Sequence, residues 1–74
     1  MSKLSKNLLY LRKREGLSQE KISEILGIKR ARYSCYEQYR TEPNISIIIQ
    51  ISDYYKITID DLIKTNLNPK SITL

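Results

Sequence analysis

A run of twenty residues, 19–38, restricts the fold of this chain more than any other part of its sequence. Gly27 interrupts the run, and glycine readily takes the left-handed conformation that ends a helix. Small Ser23 stands four residues earlier, where two crossing helices must approach closely. The apolar positions follow the same spacing: Ile22, Leu26, Ile28, Tyr33 and Tyr36. The pattern predicts a helix, a tight turn and a second, steeply crossing helix.

This geometry is the helix-turn-helix, whose second helix presents its N-terminal residues to base edges in the major groove of DNA. The motif spans about residues 19–38, and residues 30–38 form the candidate recognition helix. Tyr33 and Tyr36 stand at the two core positions of this helix, so we interpret them as packing residues and not as base-stacking platforms.

Two helices are predicted at the start of the chain. Leu4, Leu8 and Leu11 recur at helical spacing, so residues 5–15 read as an amphipathic helix that Gly16 stops. Ser18 is a good N-cap for the next helix. Its expected apolar stripe comprises Ile22, Ile25 and Leu26.

Two more helices are predicted after Pro43. Asn44 can cap a fourth helix, although the β-branched run 45–51 makes a strand the competing interpretation. The apolar period continues to residue 55, which is long for a strand and favours helix. The expected inward positions are Ile47 or Ile48, Ile51, and Tyr54 or Tyr55.

Thr58 with Asp61 resembles a capping box that opens a fifth helix ending at Ile63 or Lys64. We therefore expect an all-α, compact five-helix domain over residues 1–66, followed by a tail over residues 67–74.

Positive charge is concentrated in the first part of the chain. Residues 1–40 hold ten Lys or Arg against four acids, whereas residues 41–74 hold three against four. Such an asymmetry is typical of a protein with a surface that binds a polyanion. Lys and Arg neutralise the phosphates of DNA, and this supplies most of the non-specific affinity. A merely solvated basic surface is the alternative that charge alone leaves open.

Composition excludes several classes of protein. The 74 residues contain no His and a single Cys, so they offer no zinc cage, no disulfide framework and no nucleophile with a base. We expect no enzyme activity and no cofactor. No signal peptide or membrane span is legible, so a cytoplasmic location without membrane association is expected.

The segments Leu17–Glu20, Gly27–Ile28, Tyr36–Glu37 and Ile59–Leu62, together with Tyr33 and Pro43, resemble the repressor family of lambda and Cro type, often called XRE-like. The similarity covers about residues 4–64. It implies a lambda-repressor-like domain that binds double-stranded DNA in a sequence-specific way. The family is usually dimeric, binds short near-palindromic operators and most often represses transcription.

The resemblance also implies roles for individual residues. Gln19 is similar to a family glutamine that holds a phosphate and braces the recognition helix, and Arg12 with Glu37 matches a family ion pair, although two unrelated surface charges are the alternative. The positions expected to contact bases are Lys29, Arg30, Ala31 and Cys35. Those expected to contact phosphates are Ser18, Gln19, Arg32, Gln38 and Arg40. For Arg32, a solvated side chain that contacts nothing is a nearly equal alternative.

Two residues of this region raise further questions. Tyr39 stands where the family commonly has Gly, and a bulky residue with positive φ is unusual, so either the turn differs or Tyr39 is strained. Cys35 is interpreted as a small groove-facing side chain, with redox sensing as the weaker alternative.

Two other functions compete with that of a regulator. One is a DNA-binding antitoxin, although the ten residues from Thr65 are short for a toxin-binding segment. The other is a protein-interaction module that has kept the fold without DNA binding. A homodimer is expected from the small core and from apolar residues near the C-terminus: Ile63, Leu67, Ile72 and Leu74.

Overall fold

Five helices make up the computed structural model, which describes residues 3–68. They are α1 (Leu4–Arg14), α2 (Gln19–Leu26), α3 (Arg30–Glu37), α4 (Ile45–Tyr55) and α5 (Ile59–Lys64). The described residues contain no strand, so the predicted all-α, five-helix fold is confirmed and the competing strand over residues 45–51 is wrong. None of these helices has the length and apolar character needed to cross a membrane.

Local signals explain where the helices begin. Ser18, Asn44 and Thr58 are N-caps of α2, α4 and α5, and each side-chain oxygen accepts a hydrogen bond from the backbone N–H three residues later. These bonds satisfy donors that the first turn of a helix leaves unpaired. The three predicted caps are therefore confirmed.

The ends of α1 to α4 share one geometry, the Schellman motif. In each, a residue with left-handed φ follows the helix, and the next backbone N–H donates to the carbonyl five residues earlier, at 2.9 to 3.1 Å. The left-handed residues are Gly16 (φ 70), Gly27 (φ 73), Tyr39 (φ 61) and Lys56 (φ 59).

One core lies between all five helices. Helix α1 packs against α3 and α5, α2 packs against α3 and α4, and α4 packs against α5. Eleven apolar or aromatic residues of the described chain are buried in it: Leu4, Leu8, Leu11, Ile22, Leu26, Tyr33, Tyr36, Ile47, Ile51, Tyr55 and Leu62. Tyr55 is the inward member of its pair, and Tyr54 is exposed.

The predicted position of Ile25 in the apolar stripe of α2 is wrong, because this side chain is exposed. The buried side of α2 carries Ile22, Leu26 and the small Ser23, which is 2 % exposed. Including Ser23 in the buried side rotates its centre away from Ile25.

Asn7 links α1 to the C-terminal part of the described chain. It is buried in α1, and its Nδ2 donates to the carbonyls of Leu62 and Thr65 at 2.7 Å each. Its Oδ1 accepts from the N–H of Leu67 at 3.1 Å, and the Leu67 side chain packs against the core. No local pattern in the sequence predicts this role for Asn7. Of the predicted tail, residues 69–74 lie outside the described chain.

Candidate nucleic-acid interface

The turn between α2 and α3 positions the candidate recognition helix. Gly27 ends α2 in the left-handed conformation, and the N–H of Ile28 returns to the carbonyl of Ser23 at 3.0 Å. Lys29 is extended (φ −72, ψ 145) and is the N-cap of α3, so the helix begins at Arg30. Three residues, 27–29, therefore separate α2 from α3.

Two tyrosines fix the rotation of α3 about its own axis. Tyr33 and Tyr36 are 0 % and 3 % exposed, and their rings meet edge to face with centroids 6.2 Å apart. Because the buried side of α3 is occupied by these rings, the first turn faces solvent. Lys29, Arg30, Ala31 and Arg32 are all exposed, whereas Cys35, one turn later, is half-buried with a free thiol.

A polar cluster around Glu37 joins α1, α2 and α3, and we call it the Glu37 cluster. Arg12 Nε donates to Glu37 Oε2 at 2.7 Å, and Arg12 Nη2 donates to Glu37 Oε1 at 3.1 Å. The predicted pair is therefore a bidentate ion pair. Gln19 Nε2 donates to Oε1 at 3.0 Å, and the Tyr33 hydroxyl donates to Oε2 at 2.6 Å. Arg12 also donates to the carbonyl of Leu17 at 2.9 Å.

These contacts decide the ionisation of the cluster. Burial by itself would raise the pKa of Glu37, but the hydrogen bonds from Arg12, Tyr33 and Gln19 outweigh it and hold that pKa below its ordinary value. The hydrogen bond to Glu37 raises the pKa of Arg12. Burial, and then the hydrogen bond to Glu37, raise the pKa of Tyr33 far above its ordinary range. Near neutral pH the cluster therefore holds a carboxylate, a guanidinium and a neutral phenol.

The expected site residues lie in three parts of the structure. The expected base-contacting residues lie on α3 or at its N-cap. Ser18 and Gln19 lie at the start of α2, where the Ser18 hydroxyl caps the helix and the Gln19 amide is held by Glu37. Gln38 and Arg40 are exposed at the end of α3, and Gln38 Nε2 donates to the Ser34 hydroxyl at 3.0 Å. Within residues 3–68, no salt bridge involves the cations of α3, Lys29 or Arg40.

The Tyr33 hydroxyl is a member of the Glu37 cluster that sequence reasoning missed. The apolar pattern of α3 identified Tyr33 as a core residue, and its ring is one. The four-residue spacing between Tyr33 and Glu37 was the available signal, because side chains four residues apart on a helix are neighbours.

The sequence left open whether the turn after α3 differs from that of the family or Tyr39 is strained. The turn after α3 keeps the left-handed geometry, with the N–H of Arg40 donating to the carbonyl of Cys35 at 2.9 Å. A side chain in this conformation costs roughly 1 to 2 kcal/mol relative to glycine, because its Cβ approaches the following carbonyl. Tyr39 is therefore the strained alternative.

With this geometry established, comparison with known proteins identifies the family. A model of the helix-turn-helix family matches residues 8–62. The chain belongs to the Cro/C1-type helix-turn-helix family. This family comprises DNA-binding transcriptional regulators and is not a family of enzymes. The expected family membership is thus confirmed.

One curated relative and one solved structure are similar to this family member. An uncharacterized HTH-type transcriptional regulator of Bacillus subtilis (strain 168), YqaE, is 36 % identical over 66 residues, which are 89 % of this chain. The chain spans only 57 % of that relative's length. A crystal structure of a transcriptional regulator from Listeria innocua superimposes with a TM-score of 0.82 at 27 % identity, over 97 % of this chain and 70 % of the other.

Proposed function

We propose that this chain binds double-stranded DNA in a sequence-specific way, with α3 in the major groove, and that it acts as a transcriptional repressor. The observation that carries the proposal is the fixed orientation of α3. Tyr33 and Tyr36 hold one side of the helix in the core, so the exposed first turn is presented rigidly to a ligand. A rigid element aligns base-contacting side chains more accurately than a loop does.

Base recognition is assigned to four residues of this surface. Arg30 can donate two parallel hydrogen bonds to O6 and N7 of guanine, a pairing that discriminates by about 1 to 3 kcal/mol. Lys29 provides a second donor. Ala31 and Cys35 suit apolar contact with thymine methyl groups, because neither side chain makes the bidentate contacts of Gln or Asn. We therefore propose an operator with few strongly specified bases per half-site.

Phosphate contacts are assigned on both sides of α3. Gln19 Nε2 has two N–H groups, of which one donates to Glu37, and the second is available to a phosphate near the positive end of the α2 dipole. The same role is proposed for the remaining residues of the set: Ser18, Arg32, Gln38 and Arg40. Arg12 would act through Glu37, by keeping Gln19 in place.

The proposed active form is a homodimer on a short near-palindromic operator. A two-fold dimer places two copies of α3 one helical turn of DNA apart, which matches an inverted repeat. Ile63 and Leu67 are partly buried in the described chain and are proposed to contribute to the interface. Ile72 and Leu74, which are also expected at this surface from the sequence, lie outside the described residues. Repression would follow from occupying a promoter.

The test is selection of duplexes from a random pool by the purified protein near physiological salt. We expect enrichment of an inverted repeat with half-site centres about 10 base pairs apart. Arg30→Ala should relax the preference at one base pair of each half-site. Lys64→Ala removes an equal charge from α5, where Lys64 pairs with Asp60, and should leave the enriched sequence unchanged.

Two results would contradict the proposal. If Arg30→Ala weakens binding equally on enriched and random duplexes, Arg30 contacts phosphate and not bases. If the wild-type chain enriches no sequence, the function moves to the competing classes, an antitoxin or a protein-interaction module with this fold.

A further inference from the structure

A groove beside α1 takes no part in the proposed function, and we call it the α1 groove. Its lining includes Lys6, Leu9, Tyr10 and Lys13 from α1 and Asn66 from the segment after α5. The four α1 residues follow the spacing i, i+3, i+4, i+7, which places them on one side of the helix. The groove has a volume of about 440 Å³, compared with roughly 30 Å³ for a water molecule, so it has room for several side chains.

The α1 groove lies on a different side of the domain from the candidate recognition helix. Successive residues of an α-helix are about 100° apart, so Arg12 points away from Lys13, and it meets Glu37 of α3. No residue of α2 or α3 lines the groove. We therefore expect the groove to stay open when α3 binds a duplex.

The charges of α1 leave two cations at the groove without acidic partners. The helix contains four cations and no acid, and both of its arginines form salt bridges with acids elsewhere. Lys6 and Lys13 are exposed, and within residues 3–68 neither forms a salt bridge. The groove therefore presents two ammonium groups to a ligand, which favours a ligand with negative charge.

An apolar surface lies between the two lysines. Leu9 is 38 % exposed, and Tyr10 is half-buried with its side chain packed against the core. The backbone of a duplex offers phosphates and sugars, which contact cations but have no apolar side chain to cover Leu9. A protein segment provides both carboxylates and an apolar side chain, and covering Leu9 would add to its affinity. The groove therefore suits an acidic peptide better than a nucleic acid.

We propose that the α1 groove docks a short acidic segment of a partner protein. An apolar side chain of the segment lies on Leu9 and Tyr10, and carboxylates on either side of it pair with Lys6 and Lys13. These two lysines are separated by about 10.5 Å along the helix axis. In an extended peptide, residues i, i+2 and i+4 point to the same side and span about 13 Å. The flexible lysine side chains cover the difference, so the expected motif has an acid, an apolar residue and an acid at alternate positions.

Selection from a displayed library of random peptides, with the purified full chain as bait, tests the proposal. We expect enrichment of the motif and weaker binding at high salt. Lys6→Glu together with Lys13→Glu should weaken the enriched peptides by about tenfold or more, because two attractive contacts become repulsive. Lys21→Glu together with Lys56→Glu is the matched control, with the same change of charge at exposed residues outside the groove. It should bind the peptides within about twofold of wild type, because salt screens exposed charges that are not in contact.

Leu9→Ser tests the apolar contact separately. It should weaken the enriched peptides about fivefold, because less apolar surface is covered on binding. Ile49→Ser is the control, at a residue that is 45 % exposed on α4, and it should leave the affinity unchanged. Equal affinities of the Leu9 and Ile49 variants would contradict the apolar contact.

Several results would overturn the proposed site. No enrichment, enriched peptides without acids, or peptides that bind the Lys6→Glu, Lys13→Glu variant as tightly as wild type would exclude it. A loss of self-association of that variant in sedimentation would assign the groove to a second copy of the chain. If Lys6→Ala with Lys13→Ala flattens the salt dependence of DNA binding by about two units, the groove contacts phosphates. The peptide selection contains no DNA, so a chain that binds peptides but no duplex contradicts the proposed function alone.

Discussion

Glu37 contributes both to the stability of the fold and to the proposed function. Its side chain is 5 % exposed and still ionised, because Arg12, Gln19 and Tyr33 together saturate both carboxylate oxygens. Its pKa is lowered, so the cluster contributes stability at neutral pH that is lost as pH falls through that lowered pKa. The same carboxylate fixes the orientation of Gln19, the proposed phosphate contact.

Removing Arg12 should therefore be costly. We expect Arg12→Met to lower the free energy of unfolding by about 3 kcal/mol, because it leaves the enclosed Glu37 carboxylate without its cation. The measurement is urea denaturation near neutral pH. Arg14→Met is the control: Arg14 pairs with Glu15 on the surface, where both side chains are more than 40 % exposed, and its loss should cost less than about 1 kcal/mol. Similar losses in the two variants would contradict the importance of burial.

Helix α4 shows how local signals compete within one element. Its first seven residues contain five Ile, a composition that strands favour, and yet they form a helix. The Asn44 side chain accepts from the N–H of Ile47 at 3.0 Å and defines the start of the helix. The helical period then buries Ile47, Ile51 and Tyr55 along one side. Capping and packing together outweigh the β preference of the residues.

Removing the Asn44 cap should destabilise α4. Asn44→Ala should lower the free energy of unfolding by about 1 kcal/mol, because the N–H of Ile47 loses its acceptor. Ser46→Ala, at an exposed position two residues further on, is the comparison and should be neutral or slightly stabilising, because alanine favours helix. Both values follow from thermal or urea unfolding. An equal effect of the two substitutions would show that the cap does not stabilise α4.

The whole domain depends on a core that includes several phenols. Tyr36 and Tyr55 have buried hydroxyls for which the described residues provide no hydrogen-bond partner, whereas the Tyr33 hydroxyl is paired with Glu37. Burial, with a smaller contribution from Tyr54, raises the pKa of Tyr55 to about 12. In the unfolded chain the phenols ionise near pH 10, as free tyrosine does. The folded chain therefore retains protons that the unfolded chain releases at alkaline pH.

Linkage gives the sign of the resulting pH dependence. The stability associated with a neutral Tyr55 is fully present below pH 10 and is lost as the pH rises from about 10 to 12. We expect Tyr55→Phe to be close to neutral in stability at pH 7, because it removes an unpaired buried hydroxyl, and to lose less stability at high pH than wild type. Chemical unfolding at a series of pH values measures both effects. Tyr54→Phe, at the exposed neighbouring ring, should retain most of the wild-type loss, because it leaves Tyr55 buried and removes only the smaller contribution.

Much of the fold was predictable because its signals are local. The spacing of Leu4, Leu8 and Leu11 identified α1, and the three caps located the starts of α2, α4 and α5. Such signals depend on residues within one or two turns of each other. The orientation of Ile25 and the choice between Tyr54 and Tyr55 were not predictable in this way. They depend on which neighbouring helix covers each side of α2 and α4.

The sequence was sufficient to identify the helix-turn-helix, its boundaries and the exposed first turn of α3, because periodicity and glycine placement encode them directly. The sequence-based resemblance also named Arg12 and Glu37 as partners. Contacts between distant residues required the folded chain. The Tyr33 hydroxyl enters the Glu37 cluster only when α1, α2 and α3 are packed together, and Asn7 meets residues 62–67 only when α5 docks on α1. Such contacts depend on three-dimensional packing, which no local pattern encodes.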